Sequence, residues 1–190
     1  MQLQTDEISI RLMHDDMRDY ELMAKWLSDE KVLEYYEGRD NPSSLEQVLE
    51  EYQPVVRGEE VAVACIFSHQ NQPIGYLQYY ALDEMPETDR QSYALENTQN
   101  NFGMDLFIGE TEYWNQGIGC KVVSKIINFI FDQLDVKKIV VDPETWNTRA
   151  INTYEKCGFR KVKLLPKHEL HEGEYRDSWL MAIDRDKSVH

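Results

Sequence analysis

Two glycines, Gly117 and Gly119, stand where a helical pattern begins in the stretch YWNQGIGCK at residues 113–121. Backbone N–H groups in the first turn of a helix lack partners within the helix, and glycines let a ligand approach them closely. Such a segment, called the glycine turn below (residues 115–119), can bind a pyrophosphate without a metal ion. The motif G-x-x-x-x-G-K-[ST] is absent, and Val122 stands where a dinucleotide-binding turn has its third glycine. A plain tight turn into a helix is the alternative that remains open.

Asp105 is a second residue whose surroundings indicate chemistry, because it interrupts the apolar run FGMDLFI at residues 102–108. A carboxylate in a buried strand is costly unless a cation pairs with it. Side chains alternate between the two faces of a strand, so a solvent-facing position is the alternative. The segment before this strand supplies further acids, of which the last three are interpreted as solvated surface charges: Asp83, Glu84, Glu87, Asp89 and Glu96.

The composition limits the partners that the chain can have. Its 190 residues are enough for one well-packed core, and residues 1–190 are predicted to form a single domain. The net charge of −15 repels nucleic acid and anionic membranes and attracts cations. Three cysteines without a C-x-x-C motif predict free thiols. Since neither a signal peptide nor a membrane-spanning run is recognised, we expect a cytoplasmic protein, either a monomer or a homodimer.

Hydrophobic periodicity predicts the elements that must hold these residues. One helix is predicted to run to residue 27 with Asp15 or Asp16 as its cap, and a second from 45 to 52 with a capping box between Ser44 and Gln47. Two more are predicted from 118 to 134 and from 147 to 156. Strands are predicted over residues 7–13, 61–67, 73–81, 102–108, 137–141, 159–164 and 177–183, and residues 82–100 are predicted as a long loop. This order predicts an α/β fold, with a central sheet and helices on its faces.

A second motif follows the strand predicted at residues 137–141. In the spacing N-x-x-A-x-x-x-Y-x-x-x-G-F it contains Asn147, Ala150, Tyr154, Gly158 and Phe159. Together with the glycine turn, it resembles the Gcn5-related N-acetyltransferase (GNAT) superfamily. The resemblance implies the GNAT fold, an α/β (α+β) arrangement in which helices flank a mixed, mostly antiparallel sheet. It also implies that the pyrophosphate belongs to acetyl-coenzyme A. The superfamily's loop reads Q/R-x-x-G-x-G, and Trp114 replaces its Q/R.

Segments outside this core resemble the aminoglycoside 6′-N-acetyltransferases, especially the domain found in the bifunctional acetyltransferase–phosphotransferase resistance enzyme. They are KWLSDEKVLEYY at residues 25–36, PIGY at 73–76, FGMDLFIGE at 102–110 and LPKHELHEG at 165–173. The resemblance implies direct acetyl transfer, in a ternary complex, from acetyl-coenzyme A to the 6′-amine of an aminoglycoside, which confers antibiotic resistance. The alternatives are a GNAT enzyme acting on a polyamine or a protein N-terminus, and a coenzyme A-binding module without catalysis.

The resemblance also implies roles for individual residues. Asp105 would bind the 6′-ammonium and act as general base, or only orient the amine, since an ordinary aspartate has a pKa of about 4. Tyr154 would protonate or hydrogen-bond the departing thiolate, and a backbone N–H near Ile108 would stabilise the oxyanion. The cofactor would be bound by Phe107, Ile108, Gly109, Trp114, Asn115, Gln116, Gly117, Ile118, Gly119, Cys120, Asn147, Ala150 and Tyr154. The substrate would be bound by Tyr36, Tyr80, Glu84, Asp105, Asp142 and Glu172.

Two further features are interpreted as structural. Cys120 stands in the first turn of a predicted helix, where a thiol pKa can fall, but a packing role is favoured over an acetyl-cysteine intermediate. His168 and His171 form H-x-x-H, yet two ligands without a third do not make a zinc site. The sequence therefore predicts no metal site.

Overall fold

The computed structural model describes residues 1–4, 7–93, 95 and 98–185, except for the side chains of Asp89 and Ser92. Two of the predicted surface charges, the side chains of Asp89 and Glu96, therefore lie outside the described part. The strands described are β1 Gln2–Gln4, β2 Ile8–Leu12, β3 Val63–His69, β4 Gln72–Ala81, β5 Asn101–Ile108, β6 Lys138–Val141, β7 Arg160–His171 and β8 Glu174–Asp184. The α-helices are α1 Met17–Trp26, α2 Glu30–Leu33, α3 Leu45–Val56, α4 Glu87–Ser92, α5 Ile118–Gln133 and α6 Thr148–Lys156.

The starts of helices α1 and α3 are set by capping side chains, as the sequence predicts. The Asp16 carboxylate accepts the N–H of Arg18 at the start of α1. At the start of α3, Ser44 and Gln47 form the predicted capping box, with each side chain accepting the other's backbone N–H. This helix extends to Val56 rather than residue 52, because Val55 and Val56 pack against the hydrophobic core.

Several element boundaries differ from the prediction. The prediction of residues 82–100 as one long loop is wrong, because helix α4 lies within it. Helix α4 is six residues long, is polar and has no side-chain cap, so it leaves no hydrophobic period to detect. Strand β7 runs to His171 instead of residue 164, pairing with β8 across a register shift between Leu165 and Glu169. Such an irregularity accommodates Pro166, which has no N–H to donate.

By its contacts the chain divides into two compact units. The first contains Met1–Tyr79 and Asp105–Ile118. Strands β1, β2, β3 and β4 follow one another there in antiparallel pairs, and the hairpin turn at Gln70 and Asn71 has positive φ angles of 49° and 67°. Helices α1 and α3 cover the strands through a core of large side chains that includes Tyr20, Met23, Trp26, Leu27, Val48, Tyr52, Ile66, Tyr76 and Phe107.

The second unit contains Tyr80–Met104 and Gly119–His190. Its strand order is β5-β6-β8-β7, in which β5 and β6 are parallel and the other pairs antiparallel. Helix α5 contributes an apolar face whose Val122, Val123, Ile126 and Ile130 are buried. The predicted fold class is confirmed: helices flank a mixed, mostly antiparallel sheet. The assignment of residues 1–190 to a single domain stays a prediction.

Within the described residues, no helix combines the length and apolar character needed to cross a bilayer.

A close backbone approach at Gly75 yields a prediction about stability. A Cβ atom added to Gly75 would lie 2.3 Å from Cζ of Phe67 and 2.4 Å from the carbonyl oxygen of Phe107. Since the backbone carbonyl cannot move aside cheaply, we expect Gly75→Ala to lower the free energy of unfolding by about 3 kcal/mol. Urea denaturation measures this change.

Gly58→Ala is the matched control, because it has open space but a φ of +74°. Backbone strain alone should cost about 1 kcal/mol there. An equal or smaller loss for Gly75→Ala would contradict the close packing.

Candidate active site

Asp105 lies in the first unit on β5, and its side chain is half-buried. Its Oδ2 accepts a hydrogen bond of 2.9 Å from Nε2 of Gln78 on β4. The hydroxyl of Tyr76 donates to Oε1 of the same Gln78, also at 2.9 Å. The carboxylate is thus held by a short chain of polar groups that begins in the core of the unit.

Three tyrosines, called the phenol cluster, lie near enough to this carboxylate for its charge to act on their hydroxyls: Tyr36, Tyr52 and Tyr76. The Tyr36 ring lies 4.6 Å from that of Phe107, and the Tyr52 ring meets that of Tyr76 edge-on at 5.4 Å. Desolvation holds the pKa of each phenol well above its ordinary value, and the charge of Asp105 raises it further. The cluster therefore stays uncharged across the physiological pH range.

Two more acids add negative charge to this region. Glu51 and Glu37 both raise the pKa of Tyr52. Burial, and then the charge of Glu37, also raises the pKa of Glu51 itself. Negative charge in partly desolvated surroundings favours a cation, and an ammonium group can also donate hydrogen bonds to phenol oxygens. The region has the chemistry of an amine-binding site.

The end of β5 is closely packed. The indole N–H of Trp114 donates to the carbonyl of Ile108 at 2.8 Å, and the Trp114 ring lies edge-on to Tyr35 at 5.8 Å. The N–H groups of Gly109 and Glu110 both donate to one carbonyl, that of Ile74. The predicted oxyanion donor near Ile108 would therefore have to come from β5 itself.

The glycine turn exposes its backbone. Asn115 has a φ of +59° and Gly117 a φ of +75°, and nothing lies within 4 Å of the Cβ position of Gly117. Residues 115–117 are exposed, and helix α5 begins directly after them at Ile118. Because the first N–H groups of a helix point outward, this arrangement has the space and the donors that a pyrophosphate requires.

In the second unit, the residues of the second motif have mainly structural contacts. The side chain of Asn147 caps α6 by accepting the N–H of Ala150 at 3.1 Å. Tyr154 is buried, and its ring lies 5.4 Å from that of Phe159. The thiol of Cys120 lies 3.0 Å from the Cys157 thiol, and burial raises the pKa of Cys157 to about 12. These contacts support a packing role for Cys120.

A second group of predicted substrate residues meets around His168. Nε2 of His168 lies 2.8 Å from Oδ2 of Asp142, and the two side chains are only 6% and 14% exposed. The Tyr93 ring lies edge-on to His168, and its hydroxyl is 2.8 Å from that of Tyr80. The hydrogen bond to Asp142 raises the pKa of His168, against an opposing effect of burial. Tyr80 and Asp142 thus belong to one connected set.

The H-x-x-H histidines have separate partners. His171 lies 3.2 Å from Glu144, whereas His168 pairs with Asp142. A cation could find ligand atoms from Asp142, His168 and Glu169, which lie within 4.8 Å of one another. Of these residues only His168 belongs to the H-x-x-H pair. The absence of a metal site stays a prediction.

Two predicted substrate residues lie in turns. Glu84 is exposed in the turn that follows β4, and Glu172, with a φ of +50°, occupies the turn between β7 and β8. The predicted residues Tyr36, Phe107 and Asp105 meet within the first unit, whereas Glu84 joins none of the groups described above. Gln78 and His168 were not predicted as functional. The sequence held a sign of the role of Gln78, because residues two apart on a strand share a face and Gln78 lies between Tyr76 and Tyr80 on one face of β4.

The family model for the acetyltransferase (GNAT) domain matches residues 15–166. The chain belongs to the GNAT acetyltransferase family. The aminoglycoside N(6')-acetyltransferase type 1 of Klebsiella pneumoniae is 30% identical to it over 158 residues, which cover 82% of this chain and 75% of that relative. The same values hold for the enzyme of that name from Serratia marcescens.

Two solved structures have the same fold. The structure of AAC(6')-Ib in complex with ribostamycin and coenzyme A has a TM-score of 0.81 and 26% identity, and 96% of each chain is covered. A spermidine N-acetyltransferase from Vibrio cholerae in complex with CoA and spermine has a TM-score of 0.77 at 17% identity, covering 96% of this chain and 98% of that one. The second likeness concerns the fold alone.

The His168–Asp142 pair predicts a pH-dependent contribution to stability. Because the pKa of His168 is raised in the folded state, the stabilisation is complete below the ordinary histidine pKa of about 6.5. It is lost as the pH rises through the folded pKa. We expect His168→Gln to lower the free energy of unfolding by about 2 kcal/mol at pH 6, and by less at pH 9.

Urea denaturation at the two pH values measures this difference. In an Asp142→Asn background, His168→Gln should have the same effect at both pH values, because the pairing charge is gone. A wild-type difference that does not change with pH would refute the ion pair.

Proposed function

We propose that this GNAT enzyme transfers an acetyl group from acetyl-coenzyme A to the 6′-amine of aminoglycosides, thereby conferring resistance. The observation that carries the proposal is the half-buried carboxylate of Asp105 beside three uncharged phenols. Relatives named aminoglycoside N(6')-acetyltransferase support it at 30% identity. The AAC(6')-Ib structures, whose ligands include kanamycin, ribostamycin and coenzyme A, support the substrate class.

Asp105 would act first, by binding the 6′-ammonium through its carboxylate and then accepting a proton from it. The freed lone pair of the amine nitrogen would form a bond to the acetyl carbon, and the carbon–sulfur bond would break. Tyr154 would supply or share a proton with the departing sulfur. The nitrogen gives up its second proton as the amide forms, which balances the proton gained by the sulfur. The products are an amide and a thiol, and the amine has lost its positive charge.

Acetyl-coenzyme A would supply the activated acetyl thioester. Its pyrophosphate fits the exposed backbone of the glycine turn, and Gly117 offers open space there. We assign the remaining cofactor contacts to the residues after Asp105 on β5 and to helix α6 as the family resemblance implies. Trp114 would contribute through its backbone, because its indole N–H is already donated to Ile108.

Aminoglycosides carry several ammonium groups, so a second site for positive charge is expected. Asp142, Glu144 and Glu172 supply acids in the second unit, together with the hydroxyls of Tyr80 and Tyr93. We propose that Tyr80, Asp142 and Glu172 bind further amines of the substrate. The net charge of −15 would raise the association rate of such a polycation.

We further propose that the enzyme acts in the cytoplasm, where a reducing environment keeps thiols free. Cys65, Cys120 and Cys157 are all free cysteines, which supports this location. The chain is proposed to function as a monomer or homodimer.

Purified protein mixed with acetyl-coenzyme A and kanamycin should release free thiol. NMR and mass spectrometry of the product should place the acetyl group on the 6′-nitrogen. Spermidine and a peptide with a free N-terminus serve as competing substrates. Preferred acetylation of either competitor would refute the proposal that aminoglycosides are the substrate. Binding of coenzyme A without any thiol release would refute the proposal that the protein is a catalyst.

Asp105→Asn should lower kcat for kanamycin by about 100-fold or more, because the amide cannot accept the proton. The affinity for acetyl-coenzyme A, measured by calorimetry, should stay unchanged. Asp132→Asn removes an exposed carboxylate from α5 and is the control for lost charge. Full turnover by Asp105→Asn would exclude Asp105 from the reaction.

A further inference from the structure

Three side chains form a continuous polar chain within the first unit. The Tyr76 hydroxyl lies 2.9 Å from Oε1 of Gln78, and Nε2 of Gln78 lies 2.9 Å from Oδ2 of Asp105. Tyr76 and Gln78 are on the same face of β4, and Asp105 is on β5. The chain links a buried phenol to the carboxylate proposed to bind the amine.

The polarity of this chain has one solution when Asp105 is ionised. A carboxylate only accepts hydrogen bonds, so the amide must present its NH₂ group to Asp105. The amide oxygen then faces Tyr76, and the phenol must donate its proton to it. Tyr76 can do so at any physiological pH, because burial raises its pKa well above the ordinary value.

The burial of Tyr76 gives the chain a rigid starting point. Its ring is packed edge-on against Tyr52 at 5.4 Å and tilted against Phe107 at 5.8 Å. A ring fixed on two sides holds its hydroxyl at one place, which fixes the amide plane of Gln78. The amide, through its hydrogen bond to Oδ2, in turn restricts rotation of the Asp105 carboxylate about the bond that joins it to the rest of the side chain.

We propose that Gln78 is a positioning residue for Asp105, oriented by the hydroxyl of Tyr76, and that it holds the Asp105 carboxylate in the orientation in which it meets the substrate amine. This inference rests on the proposed function for the identity of the amine. Gln78 itself touches no reacting atom. The amide hydrogen bond stabilises the ionised carboxylate and occupies Oδ2.

The titratable groups facing this chain are known from its neighbours. Those described are the phenols of Tyr36, Tyr52 and Tyr76, the thiol of Cys65 and the carboxylates of Glu37 and Glu51. Burial raises the pKa of the phenols and of the thiol, so among these groups only the carboxylates change charge below neutral pH. A change in the titration of Asp105 in a variant of Gln78 can thus be separated from the phenols.

Gln78→Leu tests the proposal without any substrate. In protein labelled with ¹³C at aspartate carboxyls, and with the Asp105 signal assigned through Asp105→Asn, the titration midpoint of Asp105 should move to higher pH. In turnover with kanamycin, kcat should fall about tenfold, as expected for one lost hydrogen bond to a charged group. The KM for acetyl-coenzyme A should not change.

Tyr76→Phe keeps the ring and removes only the hydroxyl, so it tests the same chain if Gln78→Leu does not fold. It should shift the Asp105 midpoint in the same direction by a smaller amount. The double variant should resemble Gln78→Leu alone, because Tyr76 acts through Gln78. Tyr79→Phe is the control, because Tyr79 is on the same strand as Tyr76 but its hydroxyl lies 4.0 Å from the Met1 sulfur.

An unchanged Asp105 midpoint in both Gln78→Leu and Tyr76→Phe would overturn the positioning role. Additive effects of the two changes on kcat would also overturn it. Failure of the wild type to acetylate kanamycin would instead reject the proposed function. The NMR titration would still decide the role of Gln78 in that case.

Discussion

The chemistry of the first unit depends on the negative charge of a half-buried carboxylate, that of Asp105. The phenol cluster beside it stays neutral, because burial raises the pKa of each phenol. The amide of Gln78 stabilises the charge with one hydrogen bond. Under the proposed function, an ammonium ion would be the cation that pairs with it. Close packing at Gly75 and Phe107 keeps the neighbouring strands rigid.

The acids of the second unit differ in kind from Asp105. Asp142 and Glu144 each have a histidine within hydrogen-bonding distance, so their charges have partners that can gain a proton. Such acids can exchange a histidine for a substrate ammonium at modest cost, whereas Asp105 has a neutral amide as the donor described here. Under the proposed function, this difference would distinguish the amine that reacts at Asp105 from amines that only bind.

The sequence predicted features that are encoded locally. The capping residues Ser44 and Asn147 predicted the starts of two helices, and the pair Asp15 and Asp16 that of a third, because a cap and its partner lie within three residues. Asp105 was found because it interrupts an apolar strand. Its partner Gln78 was missed, since the two are 27 residues apart and no local pattern shows which strands are neighbours. His168 was considered only with His171, although Asp142, 26 residues away, is its partner.

Trp114 gives the glycine turn an optical reporter. An indole whose N–H is hydrogen-bonded to a carbonyl and whose ring touches a tyrosine has an emission that depends on both contacts. Of the four tryptophans, Trp26 is sealed in the core and Trp146 is exposed, so their signals should differ from that of Trp114. Trp114, which replaces the Q/R of the superfamily's loop, therefore allows changes at the glycine turn to be followed by fluorescence spectroscopy. A protein retaining only this tryptophan would isolate that signal.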